Sequence, residues 1–529
     1  MIALMITLFH HLLTNAVSLH PEKIALYHKQ EQISYRELNQ ITCQLANQFT
    51  SIREDELHVA VYLPKQIETV ISFFATSMAG GVFIPINPLL KPDQVLHILQ
   101  DSQTDILITS QSRYQQLSKS CEEMLKDKII ILTDGYESSL PVNCYSWKDA
   151  ISNKRPEKIQ TEISSSQLAA ILYTSGSTGK PKGVMLSHQN LVIGAQSVSS
   201  YLKNTSEDKL LAVLPLSFDY GLSQITTAFY VGASVVLMEY LLPRDVIKAV
   251  EQYEITGLAA VPPLWVQLAQ LEWPEKAKKS LRYITNSGGA MPQDVLKGLQ
   301  LQLPDSLPYL MYGLTEAFRS TYLEPSEIEK RPGSMGKAIP NAEILLINSD
   351  GKICGAEEEG ELVHRGPLVA MGYWNLPEKT QKRFKPLPDS VENYDPNELA
   401  VYSGDIVKKD DDGFLYFIGR NDDMIKSSGY RISPAEIEEY LYRHPAISEV
   451  AAIGVPHKSL GQAVVLVIKV APDSDLDIEA IKKYCQQTFP NFMQPQAIEL
   501  KNSLPRNPNG KINRTKLTQE FASMFEPIE

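Results

Sequence analysis

Short apolar runs and amphipathic segments alternate along the N-terminal part of the chain. Segments such as Glu68–Ala79 and Gln94–Leu99 have the spacing of helices that bury one face. Between such segments lie apolar runs of strand length: Leu57–Leu63, Val82–Ile86, Asp105–Thr109, Ile129–Thr133 and Leu168–Leu172. Because strand and helix alternate, the pattern predicts an α/β fold with a parallel, doubly wound sheet.

The alternation extends to both sides of this stretch. Ser34, with Glu37 three residues further on, forms a capping-box pattern that predicts the start of a helix. Further along, a helix is predicted from near Ser187, followed by a strand at Lys209–Leu214 and a helix at Tyr220–Tyr230. A second block of the same α/β type is therefore expected.

The pattern changes after Pro332, where short strands between Gly and Asp turns predict a small β-rich subdomain. The polar run that begins at Asn421 is the best candidate for a domain boundary. Beyond it, helices and strands alternate in a compact α+β pattern. We therefore expect a large N-terminal domain over residues 1–421 and a smaller, mobile C-terminal domain over residues 422–529.

Composition narrows the class of protein. The 529 residues are 43% hydrophobic and 21% charged, which is typical of a globular chain with more than one domain. A net charge of −12 argues against a general nucleic-acid surface, although a local cationic pocket remains compatible with it. The five cysteines form no CxxC pair, which favours reduced thiols and a cytoplasmic location. Neither a signal peptide nor an apolar run of about 18 residues is found, so no transmembrane segment is expected.

The stretch Tyr173–Gly183, YTSGSTGKPKG, follows the last of the five apolar runs. Its glycines let the backbone approach a ligand, its hydroxyl and N–H groups donate hydrogen bonds, and its lysines add charge, as a polyphosphate requires. An ordinary mobile Ser/Gly turn has a similar composition. A P-loop is excluded, because Pro181 follows Lys180 where Ser or Thr is required, and Thr174 replaces the first Gly.

Four further segments carry groups that nucleotide chemistry uses: NSGGAMP at 286–292, YGLTE at 312–316, YSGDIV at 402–407 and LPRNPNGKINR at 504–514. Each has an ordinary alternative when it stands alone. The first three could be simple turns, and the lysine of the last could be a surface residue.

Taken together and in this order, the motifs resemble those of the adenylate-forming superfamily, which includes acyl- and aryl-CoA synthetases, beetle luciferases and peptide-synthetase adenylation domains. YTSGSTGKPKG is similar to the signature loop nearly residue for residue, and the resemblance extends from ISYREL near the start to NGKINR near the end. Within the family, YGLTEAF and LSFDYGL look closest to bacterial acyl-CoA ligases associated with exopolysaccharide and exosortase gene clusters.

The resemblance implies a role for each matching residue. Residues that would bind the adenine and ribose of ATP are Gly288, Gly289, Ala290, Tyr312, Asp405 and Arg420. The phosphates would lie against Thr174, Ser175, Gly176, Ser177, Thr178, Gly179, Lys180 and Lys182. Residues at the reacting groups would be Thr315 at the α-phosphate, Glu316 at Mg²⁺, and Lys511 at the carboxylate and α-phosphate.

The family's chemistry has two steps. A carboxylate attacks the α-phosphorus of ATP and expels pyrophosphate, and a thiol then displaces AMP from the mixed anhydride. Mg²⁺ and Lys511 would screen the repulsion between the two anions. Between the steps the small domain is expected to swing about a hinge at Asp422, so that residues near Gly429 line the thiol channel.

The segment Leu214–Gln224, LPLSFDYGLSQ, is expected to form part of the acid pocket. Phe218 stands where many acyl- and aryl-CoA synthetases carry a His or an aromatic residue, whereas Asp219 resembles the Asp of amino-acid adenylation domains that pairs with the substrate's ammonium. A buried carboxylate costs several kcal/mol unless it is paired. Asp219 therefore points inward towards an amino group, or outward as a helix-start carboxylate.

Further candidates for the acid pocket are Gly232 and Val261–Trp265. Trp265 either limits the depth of the pocket or packs in the hydrophobic core.

Three functions are compatible with these motifs. The first is an AMP-forming acid–thiol ligase, an acyl-CoA synthetase that uses a carboxylic acid, ATP and CoA. The second is a stand-alone amino-acid adenylating enzyme that loads the phosphopantetheine of a carrier protein in trans, because no carrier-like segment follows Arg514. The third is a non-catalytic nucleotide-binding relic, which the intact Lys180, Glu316, Asp405 and Lys511 disfavour.

Overall fold

The computed structural model describes residues 6–52, 56–135, 141–152, 162–174, 181–389, 391, 395, 397–420, 424–471, 474, 476–505, 512 and 514–526. Two β-sheets build a large N-terminal domain, and a third builds a smaller C-terminal domain. The mixed α/β architecture predicted from the sequence is confirmed. The predicted boundary at 421/422 and the predicted hinge Asp422 lie outside the described residues and stay predictions.

The first sheet of the large domain has eight strands. Their order is Gly372–Tyr373, Lys182–Ser187, Leu168–Thr174, Val82–Pro85, His58–Tyr62, Ile106–Thr109, Ile129–Leu132 and Cys144–Ser146. Leu168–Thr174 and Lys182–Ser187 pair in antiparallel fashion, with Thr174 opposite Lys182. The sequence pattern did not predict the strand Lys182–Ser187, so the candidate phosphate loop connects the two arms of a hairpin.

The second sheet has fourteen strands. Its parallel part consists of Ile24–His28, Ser234–Leu237, Lys209–Ala212, Gly257–Ala260, Tyr283–Asn286 and Leu307–Tyr312. Antiparallel strands continue it: Thr321–Leu323, Ser334–Ala338, Leu415–Arg420, Ala400–Lys409, Gly360–Arg365 and Glu343–Ile347. Glu31–Ser34 forms the edge next to Ile24–His28, and Phe384–Lys385 pairs beside the main strand order with Ala400–Lys409. The β-rich region expected after Pro332 is therefore an extension of this sheet.

Helices pack on the two sheets and between them. They are His11–Leu19, Tyr35–Ile52, Ile67–Met78, Pro92–Asp101, Gln111–Cys121, Trp147–Ala150, His188–Tyr201, Asp219–Val231, Pro243–Tyr253, Pro262–Leu268, Glu275–Ser280, Gln293–Gln302 and Pro377–Arg383. The predicted capping box is confirmed, since Ser34 N donates to Glu37 Oε2 at 2.9 Å and Glu37 N donates to Ser34 Oγ at 3.2 Å. Phe74 stacks on Phe229 at 5.3 Å and so joins two of these helices in one hydrophobic core.

The C-terminal domain is an α+β unit around a five-stranded sheet. Its strands are Ile425–Ser427, Tyr430–Ile432, Ile447–His457, Gly461–Val470 and Ala497–Leu500, and its helices are Pro434–Leu441, Ile478–Thr488 and Arg514–Glu520. Successive side chains of Gly461–Val470 point to opposite faces, so Leu466 belongs to one core and Val467 to the other. The domain thus has cores of its own.

Two further observations concern cysteines and membranes. All five cysteines are free thiols. Within the described ranges, every helix is too short or too polar to cross a bilayer.

Candidate active site

A cavity of about 1260 Å³ opens at the carboxyl ends of the parallel strands of the longer sheet. The strand Tyr283–Asn286 leads directly to Ser287 on the cavity wall, and Leu307–Tyr312 leads to Gly313. Open α/β sheets bind ligands at this edge, because loops from several strands converge there. The C-terminal domain contributes residues such as Gly429 to the opposite wall.

Tyr312 and Asp405, both predicted to bind the nucleoside, meet at one end of the cavity. The Tyr312 hydroxyl donates a hydrogen bond of 2.5 Å to Asp405 Oδ2, and Asp405 is 3% exposed. The strand register pairs Asp405 with Arg420. The structure therefore brings these three predicted residues together. Tyr312 and Asp405 are joined through their side chains, and Arg420 is next to Asp405 through its backbone.

The predicted adenine segment lies beside them. Gly288, Gly289 and Ala290 all line the cavity. Gly288 has a φ of +79°, in the left-handed region that favours glycine. A Cβ at this position would lie 3.4 Å from the carbonyl oxygen of Gly429, so the backbone packs closely here.

Thr174 and Lys182 flank the predicted phosphate loop. They face each other across the hairpin, so the strand ladder holds the two ends of the loop together. Thr174 Oγ1 is buried and has no hydrogen-bond partner in the described part of the chain. The predicted ligands Ser175, Gly176, Ser177, Thr178, Gly179 and Lys180 lie outside the described residues.

Lys182 forms a buried cluster with Glu316 and Tyr373. Lys182 Nζ lies 3.2 Å from Glu316 Oε1 and donates a hydrogen bond of 2.7 Å to the Tyr373 hydroxyl. That hydroxyl in turn donates to Glu316 Oε1 at 2.6 Å. The carboxylate of Glu316 is thus fixed by contacts to one of its two oxygens.

Several cations surround this carboxylate. Burial would raise the pKa of Glu316, but Lys182, Arg383 and Arg431 lower it well below its usual range. Burial lowers the pKa of Lys182 to about 8, against the attraction of Glu316. Both groups are charged at neutral pH, and the excess of positive charge suits a polyanion.

The second oxygen of Glu316 offers a ligand for a metal. Oε2 is buried and has no hydrogen-bond partner in the described ranges. Mg²⁺ typically takes one or two carboxylates and completes its coordination with water and substrate phosphates. No group of three His, Cys, Asp or Glu that could hold a metal occurs among the described residues. The donor set therefore fits Mg²⁺ in the presence of a nucleotide.

Asp219 lies on the cavity wall as the first residue of the helix Asp219–Val231. It is 4% exposed, and Thr315 Oγ1 donates a hydrogen bond of 3.5 Å to its Oδ1. Burial raises the pKa of Asp219 to about 6, although the charge of Arg319 opposes the shift. Asp219 is therefore both a helix-start carboxylate and an inward-pointing one. Phe218, half-buried, lines the cavity immediately before it.

Two other candidates for the acid pocket lie elsewhere. Trp265 is fully buried, and its Nε1 donates to the carbonyls of Ala260 and Thr285, both at 3.1 Å, so Trp265 packs in the core. The expectation for Gly232 is wrong. Gly232 ends a helix at φ +73°, with its Cα against His20.

Arg319, which sequence reasoning missed, reaches the cavity from a tight turn. Phe318 has φ +50° and ψ −46°, and Arg319 N donates to Ala317 O at 2.5 Å, as in a γ-turn. The Phe318 ring packs against Gly194. A Cβ at residue 194 would lie 2.3 Å from the ring, so the ring fits because this residue is glycine. The turn places Arg319 on the cavity wall with 1% of its surface exposed.

The C-terminal domain contacts the large domain beside the cavity. Gly429 has a φ of +82°, and a Cβ there would lie 2.6 Å from Val261 Cγ1. Gln94 Nε2 donates a hydrogen bond of 3.1 Å to Glu436 Oε1. Lys511, predicted to enter the site from this domain, lies outside the described residues.

Three other residues around the site were also missed. Tyr373 lies in a two-residue strand, and nothing in the local pattern shows that this strand pairs with Val184 and Met185. Arg383 ends a short helix, and Arg431 follows Gly429 in SSGYRI. For Arg431, the sequence signal was its position two residues after Gly429, the glycine predicted to line the thiol channel.

The cavity is lined by residues of both domains, among them Tyr312, Asp405 and Asp219, and it lies at the carboxyl edge of an open α/β sheet. The chain belongs to the AMP-binding enzyme family: the family profile matches residues 13–374, and the profile of the AMP-binding enzyme C-terminal domain matches residues 436–511. It is thus a member of the adenylate-forming superfamily, as its motifs indicated.

Curated relatives differ in how much of their length the chain spans. The long-chain-fatty-acid–CoA ligase of Bacillus subtilis (strain 168) is 26% identical over 543 residues, which cover 96% of this chain and 94% of the ligase. A linear gramicidin synthase of Brevibacillus parabrevis is 29% identical over 503 residues, which cover 94% of this chain but 6% of the synthase. The chain thus spans most of the ligase and a small part of the synthase.

Two solved structures of one enzyme differ in their similarity to this chain. A double mutant of o-succinylbenzoate CoA synthetase from Bacillus subtilis, bound to its product analogue OSB-NCoA, is 26% identical with a TM-score of 0.82, over 96% of this chain and 98% of that one. The same synthetase with the acyl-adenylate OSB-AMP gives 0.67 at 26% identity, over 96% and 97%. By TM-score, this chain is more similar to the product-analogue complex.

Proposed function

We propose that the chain is an AMP-forming acid–thiol ligase that activates a carboxylic acid with ATP and then transfers the acyl group to CoA. The observation that carries this proposal is the position of Glu316. This ionised carboxylate is buried among Lys182, Arg383 and Arg431, and its chain neighbour Thr315 lines the cavity together with Arg431. Such a site can gather a triphosphate and a carboxylate, which would otherwise repel each other.

In the first half-reaction, Tyr312, Asp405 and Arg420 hold the nucleoside, and the loop between Thr174 and Lys182 holds the phosphates. Glu316 and phosphate oxygens would hold Mg²⁺, which neutralises charge on the triphosphate when bound. One oxygen of the acid attacks the α-phosphorus, and the bond to pyrophosphate breaks. The products are the acyl-adenylate and pyrophosphate.

Two residues act at the reacting atoms in this proposal. Thr315, whose hydroxyl donates to Asp219 in the ligand-free protein, would donate to the α-phosphate when ATP is bound. Lys511 would supply a point charge where negative charge accumulates. Both would act by orientation and charge, since the leaving pyrophosphate needs no proton from them.

In the second half-reaction a thiol displaces AMP. The close packing of Gly429 against Val261 is consistent with a thiol channel formed by this part of the small domain. CoA is favoured as the thiol because a long-chain-fatty-acid–CoA ligase is among the relatives that match 96% of this chain. The small domain would rotate about Asp422 between the two steps.

The alternative, an amino-acid adenylating enzyme that loads the phosphopantetheine of a carrier protein in trans, depends on Asp219. The buried carboxylate would pair with the ammonium of an amino acid. Arg319, however, already places a positive charge near Asp219, so an ammonium is not needed to compensate it. This observation favours the ligase.

The test is pyrophosphate exchange into ATP with fatty, aryl and amino acids, followed by AMP release with CoA. Exchange with a non-amino acid and AMP release that depends on CoA are expected. Absence of exchange with every acid in the presence of magnesium would contradict the proposal. Strong exchange with an amino acid that is lost in Asp219→Ala would favour the alternative.

A further inference from the structure

The cavity wall that carries Asp219 also carries a buried cation, Arg319, which has no role in the two proposed half-reactions. The guanidinium of Arg319 packs over the ring of Tyr220, with Cζ 4.7 Å from the ring centroid. Its Nη1 donates a hydrogen bond of 3.4 Å to Ser287 Oγ. One face and one edge of the group are therefore held in place by the protein.

The other edge of the guanidinium is unpartnered. Nε and Nη2 are buried and have no hydrogen-bond partner among the described residues. These two nitrogens point their N–H groups in the same direction, the geometry in which arginine grips a carboxylate with two parallel hydrogen bonds. Buried donors without partners are costly, so an unpartnered edge on a cavity wall indicates a place for a ligand.

Asp219 does not fill this place. It lies near enough to interact electrostatically with Arg319, but the two side chains form no ion pair within 4.0 Å. Asp219 accepts its hydrogen bond from Thr315 instead. Since none of the described residues supplies an acceptor for Nε and Nη2, this edge is open to a carboxylate of a bound molecule.

We propose that Arg319 binds a second carboxylate of the substrate, so that the preferred acids are dicarboxylic acids rather than plain alkanoic acids. This inference rests on the proposed function and names the substrate class of the same site. The reacting carboxylate lies towards Thr315 and Glu316, and the second carboxylate lies at the open edge of Arg319. Arg319 is then a specificity-determining residue.

The experiment compares acids of equal length. AMP formation is measured in the presence of CoA. Malonate is compared with propanoate, succinate with butanoate, and adipate with hexanoate. The best dicarboxylate is expected to exceed its monocarboxylate in kcat/KM by about 100-fold, since a site built to bind a polar group rejects analogues that lack it.

Variants assign the preference to the arginine. Arg319→Met is expected to lower the ratio of dicarboxylate to monocarboxylate by about 100-fold, and Arg319→Lys, which keeps the charge without the fork, to lower it less. Arg365→Met is the matched control, because Arg365 is outside the cavity and pairs with Glu343 and Glu398. It should leave the ratio unchanged.

Three outcomes would overturn the inference without touching the proposed function. Wild-type enzyme could use alkanoates as well as dicarboxylates. The ratio could be unchanged in Arg319→Met. Arg319→Met combined with Asp219→Asn could restore the wild-type ratio, which would show that Arg319 only neutralises Asp219.

A binding measurement separates this inference from the reaction. Calorimetric titration of succinate and butanoate into wild-type protein is expected to show tighter binding of succinate, and Arg319→Lys to reduce the difference. If no acid supports AMP formation, the proposed function fails and the titration decides the role of Arg319. Equal binding of the two acids to wild-type protein would overturn the inference, even if Arg319→Met fails to fold.

Discussion

Gln94 Nε2 on the helix Pro92–Asp101 donates a hydrogen bond of 3.1 Å to Glu436 Oε1 on the helix Pro434–Leu441. The bond connects the two domains, and both side chains are buried. Ser433 caps the second helix, its Oγ accepting from Glu436 N at 3.2 Å, which fixes the backbone that carries the acceptor. The contact therefore stabilises the arrangement in which Gly429 faces the cavity.

Gln94→Ala is expected to slow acyl transfer to CoA while leaving pyrophosphate exchange unchanged. The lost bond is to a charged group and contributes about 1.5 kcal/mol or more, so transfer should fall about tenfold. Single-turnover thiolysis of supplied acyl-adenylate measures the step. Gln100→Ala, an exposed position on the same helix, is the control. An equal loss in both half-reactions would show that Gln94 is needed for the fold rather than for this arrangement.

Gly429→Ala is expected to have a stronger effect on the same step. The new Cβ would lie 2.6 Å from Val261 Cγ1, and the φ of +82° is unfavourable for alanine. Thiolysis should become undetectable while exchange persists. Adding Val261→Ala removes the contacts with Cγ1 and Cγ2 but leaves Cβ of residue 261 at 2.9 Å and the backbone strain, so only part of the activity should return. Loss of exchange in Gly429→Ala would contradict the assignment.

Lys511→Ala is expected to have the opposite pattern. Because this lysine would act only when the acid and the α-phosphate meet, pyrophosphate exchange should fall by at least about 100-fold while thiolysis of supplied acyl-adenylate continues. Lys458→Ala, a lysine of the same domain outside the cavity, serves as control. If both half-reactions fall together, Lys511 does not have the proposed role.

Asp219 makes the stability of the ligand-free protein depend on pH. Its pKa rises from 3.8 to about 6 on folding because of burial, so between these values the folded state binds more protons than the unfolded state. The buried, ionised carboxylate of Asp219 therefore lowers the free energy of unfolding most above pH 6. This destabilisation decreases as the pH falls towards 4. Asp219→Asn should stabilise the protein at neutral pH by up to about 3 kcal/mol.

Urea unfolding without nucleotide or magnesium, from neutral to acidic pH, measures the effect. The difference in the free energy of unfolding between Asp219→Asn and wild type should shrink as the pH falls. Asp294→Asn, at an exposed helix position, should show no such trend. A difference that stays constant with pH would mean that Asp219 keeps its ordinary pKa in the folded state.

Local patterns were sufficient for much of the fold. The helix predicted at Tyr220–Tyr230 spans Asp219–Val231 in the structure, and the capping box of Ser34 and Glu37 forms as expected. These elements depend on apolar spacing and on bonds between residues close in sequence. The domain boundary at 421/422 was predicted from polarity, and it stays a prediction because it lies outside the described residues.

The site was less predictable because its contacts span the chain. Lys182 meets Tyr373 and Glu316 through a hairpin and a two-residue strand that have no periodic signal. Arg319 reaches the cavity through a positive φ at Phe318, which no residue type in YGLTEAFRS predicts. Motif resemblance therefore predicted which residues bind the nucleotide, whereas Arg319 and Tyr373 became apparent only from the three-dimensional arrangement.

Gly194 lies on the helix His188–Tyr201 and is not among the residues that line the cavity, yet the Phe318 ring fits against it. Any side chain larger than hydrogen would push that ring, and with it the strained turn leading to Arg319. Substitutions at residue 194, behind the pocket, should therefore change its shape, as substitutions of the lining residues do. A library that varies residue 194 together with 319 would sample pocket shapes that changes to the lining alone cannot reach.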